Sequence, residues 1–391
     1  MKIFIRFLNG CVMRRQKAMQ YKKFFMDCGH ELVESAEESD YIIVWGCSFR
    51  ADWRDSSLTV INYYIDNFKQ KIIVTGCLPS IAPEYIVKNE RVKLIPWKND
   101  LGFERIFGKK AYLYDYNPVF TEKRICEDTT EYRKTNPDKD VTFHDSFVKI
   151  VVAVGCKFHC AYCSEHIAFP KYRSFPEDKI IEECKKIIEE TQVYDIMLLA
   201  DNLGQYGCDV RSSFPRLVKN IKSLHPSIRF AFNNLNPFYF LKFLSDIKFF
   251  LKNNWVKHFN LPIQSASDKI LKLMNRPYNK KDLVKIFNTL SELEFKDFDT
   301  HVIVGFPGET DDDIKETLDF LISVNPRYVL ASKYMEAKRA TSANLPNKVD
   351  AETMKIRVLI VKETLNNAGI LCNTDESELS STRLLNLMKK E

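Results

Sequence analysis

Three cysteines, Cys156, Cys160 and Cys163, stand within eight residues in Val154-Gly-Cys-Lys-Phe-His-Cys-Ala-Tyr-Cys163, directly after the apolar run 147–154. Three soft thiolates on one tight loop suit three irons of a [4Fe-4S] cube and leave the fourth iron open, the arrangement that makes such a cluster a catalyst rather than an electron carrier. A structural zinc knot with His159 or His166 as fourth ligand is the plain alternative, but zinc sites favour paired CxxC knuckles some distance apart. A second set of thiols lies upstream: Cys11, Cys47 in Trp-Gly-Cys-Ser and Cys77 in Thr-Gly-Cys-Leu-Pro, each beside a glycine and each after a short apolar run. Cysteine is often only a small buried hydrophobe, which suits Cys28 and Cys184 inside helical patterns. Three thiols at matching positions suit a second three-thiolate cluster better.

These thiols need elements to bring them together. In residues 1–108, β-branched runs at 3–8, 41–45, 71–75 and 92–96 alternate with helical patterns at 14–28, 52–68 and 82–89. That alternation predicts a parallel α/β domain with helices on both faces, in which residues at the carboxyl ends of strands converge. Residues 109–145 are polar and weakly periodic and read as a linker. Within 146–335, strands at 147–152, 196–200, 228–232, 258–261, 301–304 and 328–331 alternate with helices at 177–190, 214–224, 238–253, 268–274, 280–293 and 311–323. About six βα units predict a partial parallel barrel with its chemistry on the loops after the strands. Residues 336–391 read as a C-terminal helical extension with one amphipathic helix at 351–367 and no terminal β-barrel.

Composition sets the class. At 391 residues the chain exceeds the size of one growing core, and 45% hydrophobic with 28% charged residues describes an ordinary globular protein. No run approaches a membrane span and the start is too short and charge-broken for a secretory signal, so a cytoplasmic place is expected. Eleven cysteines without an export signal then point to metal or catalysis. A net charge of +6 permits contact with RNA or an acidic peptide without requiring it.

Four further blocks make a resemblance specific. They are Leu198-Leu-Ala-Asp-Asn-Leu-Gly-Gln-Tyr-Gly-Cys-Asp209, Leu261-Pro-Ile-Gln-Ser-Ala-Ser-Asp-Lys-Ile-Leu-Lys-Leu-Met-Asn-Arg276, Ile303-Val-Gly-Phe-Pro-Gly-Glu-Thr310 and Lys338-Arg-Ala-Thr-Ser-Ala343. With the two cysteine triads they resemble the methylthiotransferases of the radical S-adenosylmethionine (SAM) superfamily. The chain departs from that pattern at Asp201, at Arg14, Arg15 and Gln16, and at Tyr172-Arg173-Ser174, positions expected on substrate-facing loops.

The resemblance implies two [4Fe-4S] clusters and SAM: Cys156, Cys160 and Cys163 hold the catalytic cluster, whose open iron chelates SAM, and Cys11, Cys47 and Cys77 hold the other. It implies that one SAM methylates a sulfur on the N-terminal cluster and a second is cleaved reductively. The resulting deoxyadenosyl radical takes hydrogen from an unactivated C–H, and the carbon radical captures the methylthio group. Around this chemistry, Tyr162 is expected to stack on adenine or shield the cluster, and Gln264 to bond a ribose or carboxylate. Arg276 neutralises a carboxylate or is an exposed helix-end residue, Gly305 and Gly308 let backbone approach a ligand or form a plain turn, and Glu309 caps or orients the next helix. An electron donor such as flavodoxin or ferredoxin is implied, and no membrane. A peptide or protein substrate is narrowly favoured because the small RNA-binding (TRAM) barrel of the family is not seen, with a modified adenosine of tRNA as alternative. The rivals are a sulfur-inserting enzyme that transfers no methyl and a non-catalytic iron-sulfur protein.

Overall fold

The computed structural model describes residues 1–7, 12–49, 51–97, 101–108, 147–169 and 171–374, with side chains from residue 20 in the first helix and residue 53 in the second. Cys11 and the expected linker lie outside them. Five parallel strands form the first sheet: β1 (Lys2–Phe7), β2 (Glu31–Leu32), β3 (Tyr41–Gly46), β4 (Lys71–Gly76) and β5 (Val92–Leu94), in the order β2-β1-β3-β4-β5. The central strands are buried on both sides, as crossover helices require. Ile42 and Val44 pack with Val60, Ile61 and Tyr64 of the helix Ala51–Asn67, while Ile43 and Trp45 pack with Tyr21, Phe24 and Phe25 of the helix Val12–Asp27. The helix expected over 82–89 is replaced by the single turn Leu78–Ile81 and a 3-10 turn, Pro83–Tyr85. Proline accounts for both: Pro79 is tolerated in a first turn, and Pro83 pushes Ala82 off helical angles (φ −142°, ψ 52°). A further helix, Leu101–Phe107, lacks a sequence signal of its own and completes the face behind Tyr21 with Phe103 and Phe107.

The second sheet begins with β6 (Val148–Val151). A two-residue antiparallel pair, β7 (Ala153–Val154) and β8 (Arg173–Ser174), then pinches off the cysteine loop. Next come β9 (Asp195–Leu199), β10 (Arg229–Phe232), β11 (Val256–Asn260), β12 (Phe298–Val304), β13 (Tyr328–Lys333) and β14 (Leu371–Thr374). With β6 these make one seven-stranded parallel sheet whose spatial order follows the chain, as in an unclosed barrel. Six of the strands are the expected ones. The seventh corrects both the six-unit count and the purely helical extension: the helix Ala351–Asn367 buries Val358, Val361 and Leu365 in the main core and returns the chain as β14 beside β13. The helix expected over 238–253 is two, Pro237–Lys242 and Leu244–Lys252, broken at Phe243 (φ −108°, ψ 26°).

The two units meet beside the cysteines. Ala168 and Phe169, five and six residues past Cys163, enter the N-terminal core alongside Ile81 and Ala82, and Trp97 stands edge-on to Phe169 at 4.8 Å. Arg339 donates to the Ser80 carbonyl at 3.0 Å. Among the described residues no helix is long and apolar enough to cross a membrane.

Candidate functional site

The loop between β7 and β8 carries Cys156, Cys160 and Cys163, and all four motif blocks fasten it. From the block after β9, the Asp201 carboxylate accepts from the Gly155 N–H at 2.6 Å and Gln205 Oε1 from the Lys157 N–H at 2.9 Å. From the block after β11, the Met274 carbonyl accepts from the Ala161 N–H at 2.9 Å, Asn275 donates to the His159 carbonyl at 2.8 Å, and Arg276 reaches Cys160 Sγ at 3.3 Å and Tyr162 Oη at 3.1 Å. The Ser342 N–H donates to the Ala161 carbonyl at 2.9 Å from the block after β13. Phe306, from the block after β12, joins Ala161, Ile270 and Met274 in a small apolar cluster against which Tyr162 packs.

These contacts settle where several expected residues stand. Arg276 is not an exposed helix end: besides Cys160 and Tyr162 it donates to the Pro262 carbonyl (3.0 Å) and Tyr278 Oη (2.7 Å), so its fork is committed to the loop. Tyr162 is half-buried beside the apolar cluster, and burial holds its phenol well above the ordinary range. Gln264 adopts left-handed angles (φ 69°), locked between the His301 carbonyl and the Ile303 N–H at 2.8 and 2.9 Å. Such a conformation in a non-glycine residue is uncommon and gathers at functional sites. Glu309 does not cap the following helix, whose capping box is Thr310 with Asp313; its carboxylate instead accepts from the Gly305 N–H at 2.6 Å. On its side-chain side Gly305 approaches Met354 of the helix Ala351–Asn367, where an added Cβ would lie 2.1 Å from Cγ. Asp201, expected to face substrate, is part of the loop's foundation.

Sequence reasoning passed over Asn202, Gln205 and Tyr278, although the first two lie in a quoted block. It also missed a buried polar ladder on the facing sides of β11 and β12: His258 Nε2 stands 3.1 Å from Asp299, which is bonded by Asn260, itself 3.2 Å from His301 Nε2. Its sequence signal is polar residues at every second position of two strands otherwise read as apolar.

In the first sheet, Gly46 of β3 pairs with Gly76 of β4, so Cys47 and Cys77 leave neighbouring strands at the same level. Both thiols are buried. A Cβ on Gly76 (φ 91°) would lie 2.5 Å from the Gly46 carbonyl oxygen, so the approach of the two cysteine-bearing turns demands glycine there. Cys77 opens the turn Leu78–Ile81, which packs on the helix Glu165–Ala168 just beyond Cys163.

The donor chemistry fits iron-sulfur clusters. The N–H groups of Phe158 and Glu165 aim at Cys156 and Cys163 sulfurs (3.4 Å each), and Asn202 Nδ2 lies 3.7 Å from Cys156 Sγ. Burial pushes the Cys156 thiol up to about 11 and holds that of Cys163 well above its ordinary value, with Cys160 adding to both. Bound iron reverses that balance because it takes deprotonated sulfur. Among the described residues no three His, Cys, Asp or Glu side chains close on one metal ion. Buried polar atoms without partners among the described residues gather at both places: Asn202 Oδ1, Gln205 Nε2 and His166 Nδ1 near the loop, and the hydroxyls of Ser48, Thr75 and Ser80 near Cys47 and Cys77.

Fold and site together define a radical SAM protein with an additional N-terminal α/β domain. Residues 150–321 match the model of the radical SAM superfamily, and residues 2–95 that of uncharacterized protein family UPF0004. The chain is 30% identical over 332 residues to a probable threonylcarbamoyladenosine tRNA methylthiotransferase of Pyrococcus horikoshii, covering 83% of this chain and 75% of that protein. It is 29% identical over 389 residues to the ribosomal protein uS12 methylthiotransferase RimO of Fervidobacterium nodosum, covering 95% and 84%. The chain belongs to the radical SAM methylthiotransferase family, which works with two [4Fe-4S] clusters and SAM. Among solved structures, the radical SAM methyltransferase TsrM of Kitasatospora setae shares the fold at 11% identity, with a TM-score of 0.57 over 84% of this chain and 72% of that one.

Proposed function

We propose that this protein replaces an unactivated C–H of a macromolecule by C–SCH3, with Cys156, Cys160 and Cys163 holding one cluster and Cys47 and Cys77, together with Cys11, the other. The observation that carries this reading is the packing of the Cys77 turn on the helix that follows Cys163, which supports both thiol sets serving one reaction space. With SAM, the bound clusters supply an electron, a carbon-centred radical and a methylated sulfur. The chain's own residues do the positioning. Arg276, Asp201 and Gln205 hold the loop, Tyr162 and Phe306 wall off its apolar side, and Gln264 presents its amide from a strand end. Gln264, Asn202 Oδ1 and Gln205 Nε2, the last two without a partner among the described residues, are the polar groups we assign to SAM. The electron comes from a flavodoxin or ferredoxin.

For substrate we carry a polypeptide, because the match to the uS12 relative runs through 95% of the chain, against 83% and 91% for the tRNA-modifying relatives from Pyrococcus horikoshii and Natranaerobius thermophilus. The test is anaerobic reconstitution, which should load roughly eight irons per chain, followed by mass spectrometry of peptide and tRNA incubated with SAM and reductant. A peptide gaining sulfur together with a methyl group supports the proposal. The same gain on tRNA moves the substrate to nucleic acid, sulfur alone makes the enzyme a sulfur-inserting one, and no deoxyadenosine at all sinks the reading.

A further inference from the structure

Three hydroxyls at and just beyond the carboxyl ends of β3 and β4 find no partner among the described residues. Ser48, Thr75 and Ser80 are 1%, 0% and 3% exposed, and their oxygens have no partner among the described residues. Each lies within three residues of a thiol at paired strand ends: Ser48 follows Cys47, while Thr75 precedes Cys77 by two residues and Ser80 follows it by three. An unpaired buried hydroxyl is costly, because burial strips its water and returns no bond. Other buried serines of the same domain avoid that cost, Ser39 donating to the Ala36 carbonyl at 2.8 Å and Ser57 to that of Trp53 at 2.7 Å. Three orphans gathered at one end of one sheet mark a shared, acceptor-rich ligand rather than three separate defects.

We propose that Ser48, Thr75 and Ser80 donate hydrogen bonds to the sulfurs of the cluster that Cys47 and Cys77 help to hold, and so set its reduction potential. This rests on the cluster assignment made above. A thiolate or sulfide of the cluster accepts hydrogen bonds, a hydroxyl turns its single proton toward it without moving backbone, and the bond strengthens as reduction adds negative charge. The three hydroxyls therefore favour the reduced form and raise the potential.

The test is a redox titration followed by electron paramagnetic resonance on the reconstituted full chain carrying Cys156→Ala, Cys160→Ala and Cys163→Ala, so that one cluster reports. In that background Ser48→Ala, Thr75→Val and Ser80→Ala each lower the midpoint. Combined, they lower the reduced-to-oxidised ratio at fixed potential about tenfold, which is about 59 mV for a one-electron couple. The iron-free variants melt no lower than their parent, since each has lost an unpaired hydroxyl and no packing, a result that separates ligand contact from a structural role. The single variants carry the measurement if the combined one fails to load iron. An unchanged midpoint at full iron content overturns this inference and leaves the cluster assignment standing; a parent that binds no iron overturns both.

Discussion

The loop bearing Cys156, Cys160 and Cys163 is braced by side chains and backbone from four separate segments, whereas three hydroxyls beside Cys47 and Cys77 find no partner among the described residues. The difference accords with the roles proposed for the two places. On that reading a catalytic cluster that orients a second ligand needs its thiols fixed in advance, and Asp201, Gln205 and Arg276 supply that from a strand end, the turn after it and a distant helix end. A cluster that only holds sulfur for transfer can itself complete the hydrogen bonding of its pocket. The first site is therefore expected to keep its shape without iron, and the second to tighten when iron is bound.

Breaking the braced side gives the largest effect. Cys160→Ala should abolish reductive SAM cleavage while the chain keeps roughly half its iron, read by deoxyadenosine release and iron analysis; full deoxyadenosine yield would remove this loop from the chemistry. Gly76→Ala strikes the other side, placing a Cβ against the Gly46 carbonyl at a positive φ. It should cost about 3 kcal/mol in denaturant unfolding and lose the N-terminal iron while SAM cleavage persists. Equal loss from both sites would mean that the two are not independent. Arg276→Leu leaves Cys160 and Tyr162 without this donor and the Pro262 carbonyl with Tyr278 Oη alone, and should cost about 2 kcal/mol. Arg276→Lys recovers only part of it, because an ammonium cannot span those partners as the planar fork does; full recovery by lysine would reduce Arg276 to a point charge.

Much of this contrast was open to sequence reading, and the rest was hidden for physical reasons. Parallel strands buried on both faces are written as apolar β-branched runs, so the twelve residues Tyr41 to Gly46 and Lys71 to Gly76 announce both the sheet and the thiols that follow it. The helix Ala351–Asn367 was equally plain. Leu371–Thr374 was not, because Leu-Cys-Asn-Thr has no strand signal until β13 offers it a ladder. Arg276 was legible as a residue and not as a role: its sequence neighbours are a helix end, while its partners Cys160 and Tyr162 lie more than a hundred positions away. Ser48, Thr75 and Ser80 were invisible for the opposite reason, since what sets them apart is a bond they do not make.

The effect that is smallest at any one step of pH concerns the edge of the braced site. Burial lifts the Glu309 carboxyl to about 7, against the opposing pull of the Gly305 N–H at 2.6 Å and of Arg357 at 3.9 Å. A carboxyl that holds its proton more tightly folded than unfolded contributes its full stability below the ordinary value of 4.5 and loses it as pH rises through about 7. The loss amounts to at most about 1.4 kcal/mol per pH unit across that window. Asp313 does not blur it: its carboxyl is held down to about 2, by bonds from Lys269, Thr310 and Ser267 that outweigh its burial, so its own transition lies well to the acid side. Glu309→Gln keeps an acceptor for Gly305 and cannot ionise, so urea unfolding of this variant at pH 5, 6, 7 and 8 should show the wild-type slope flattened. Parallel curves for the two proteins would show that Glu309 is already charged at pH 5, making its contact with Arg357 an ion pair that holds the Gly305 turn throughout.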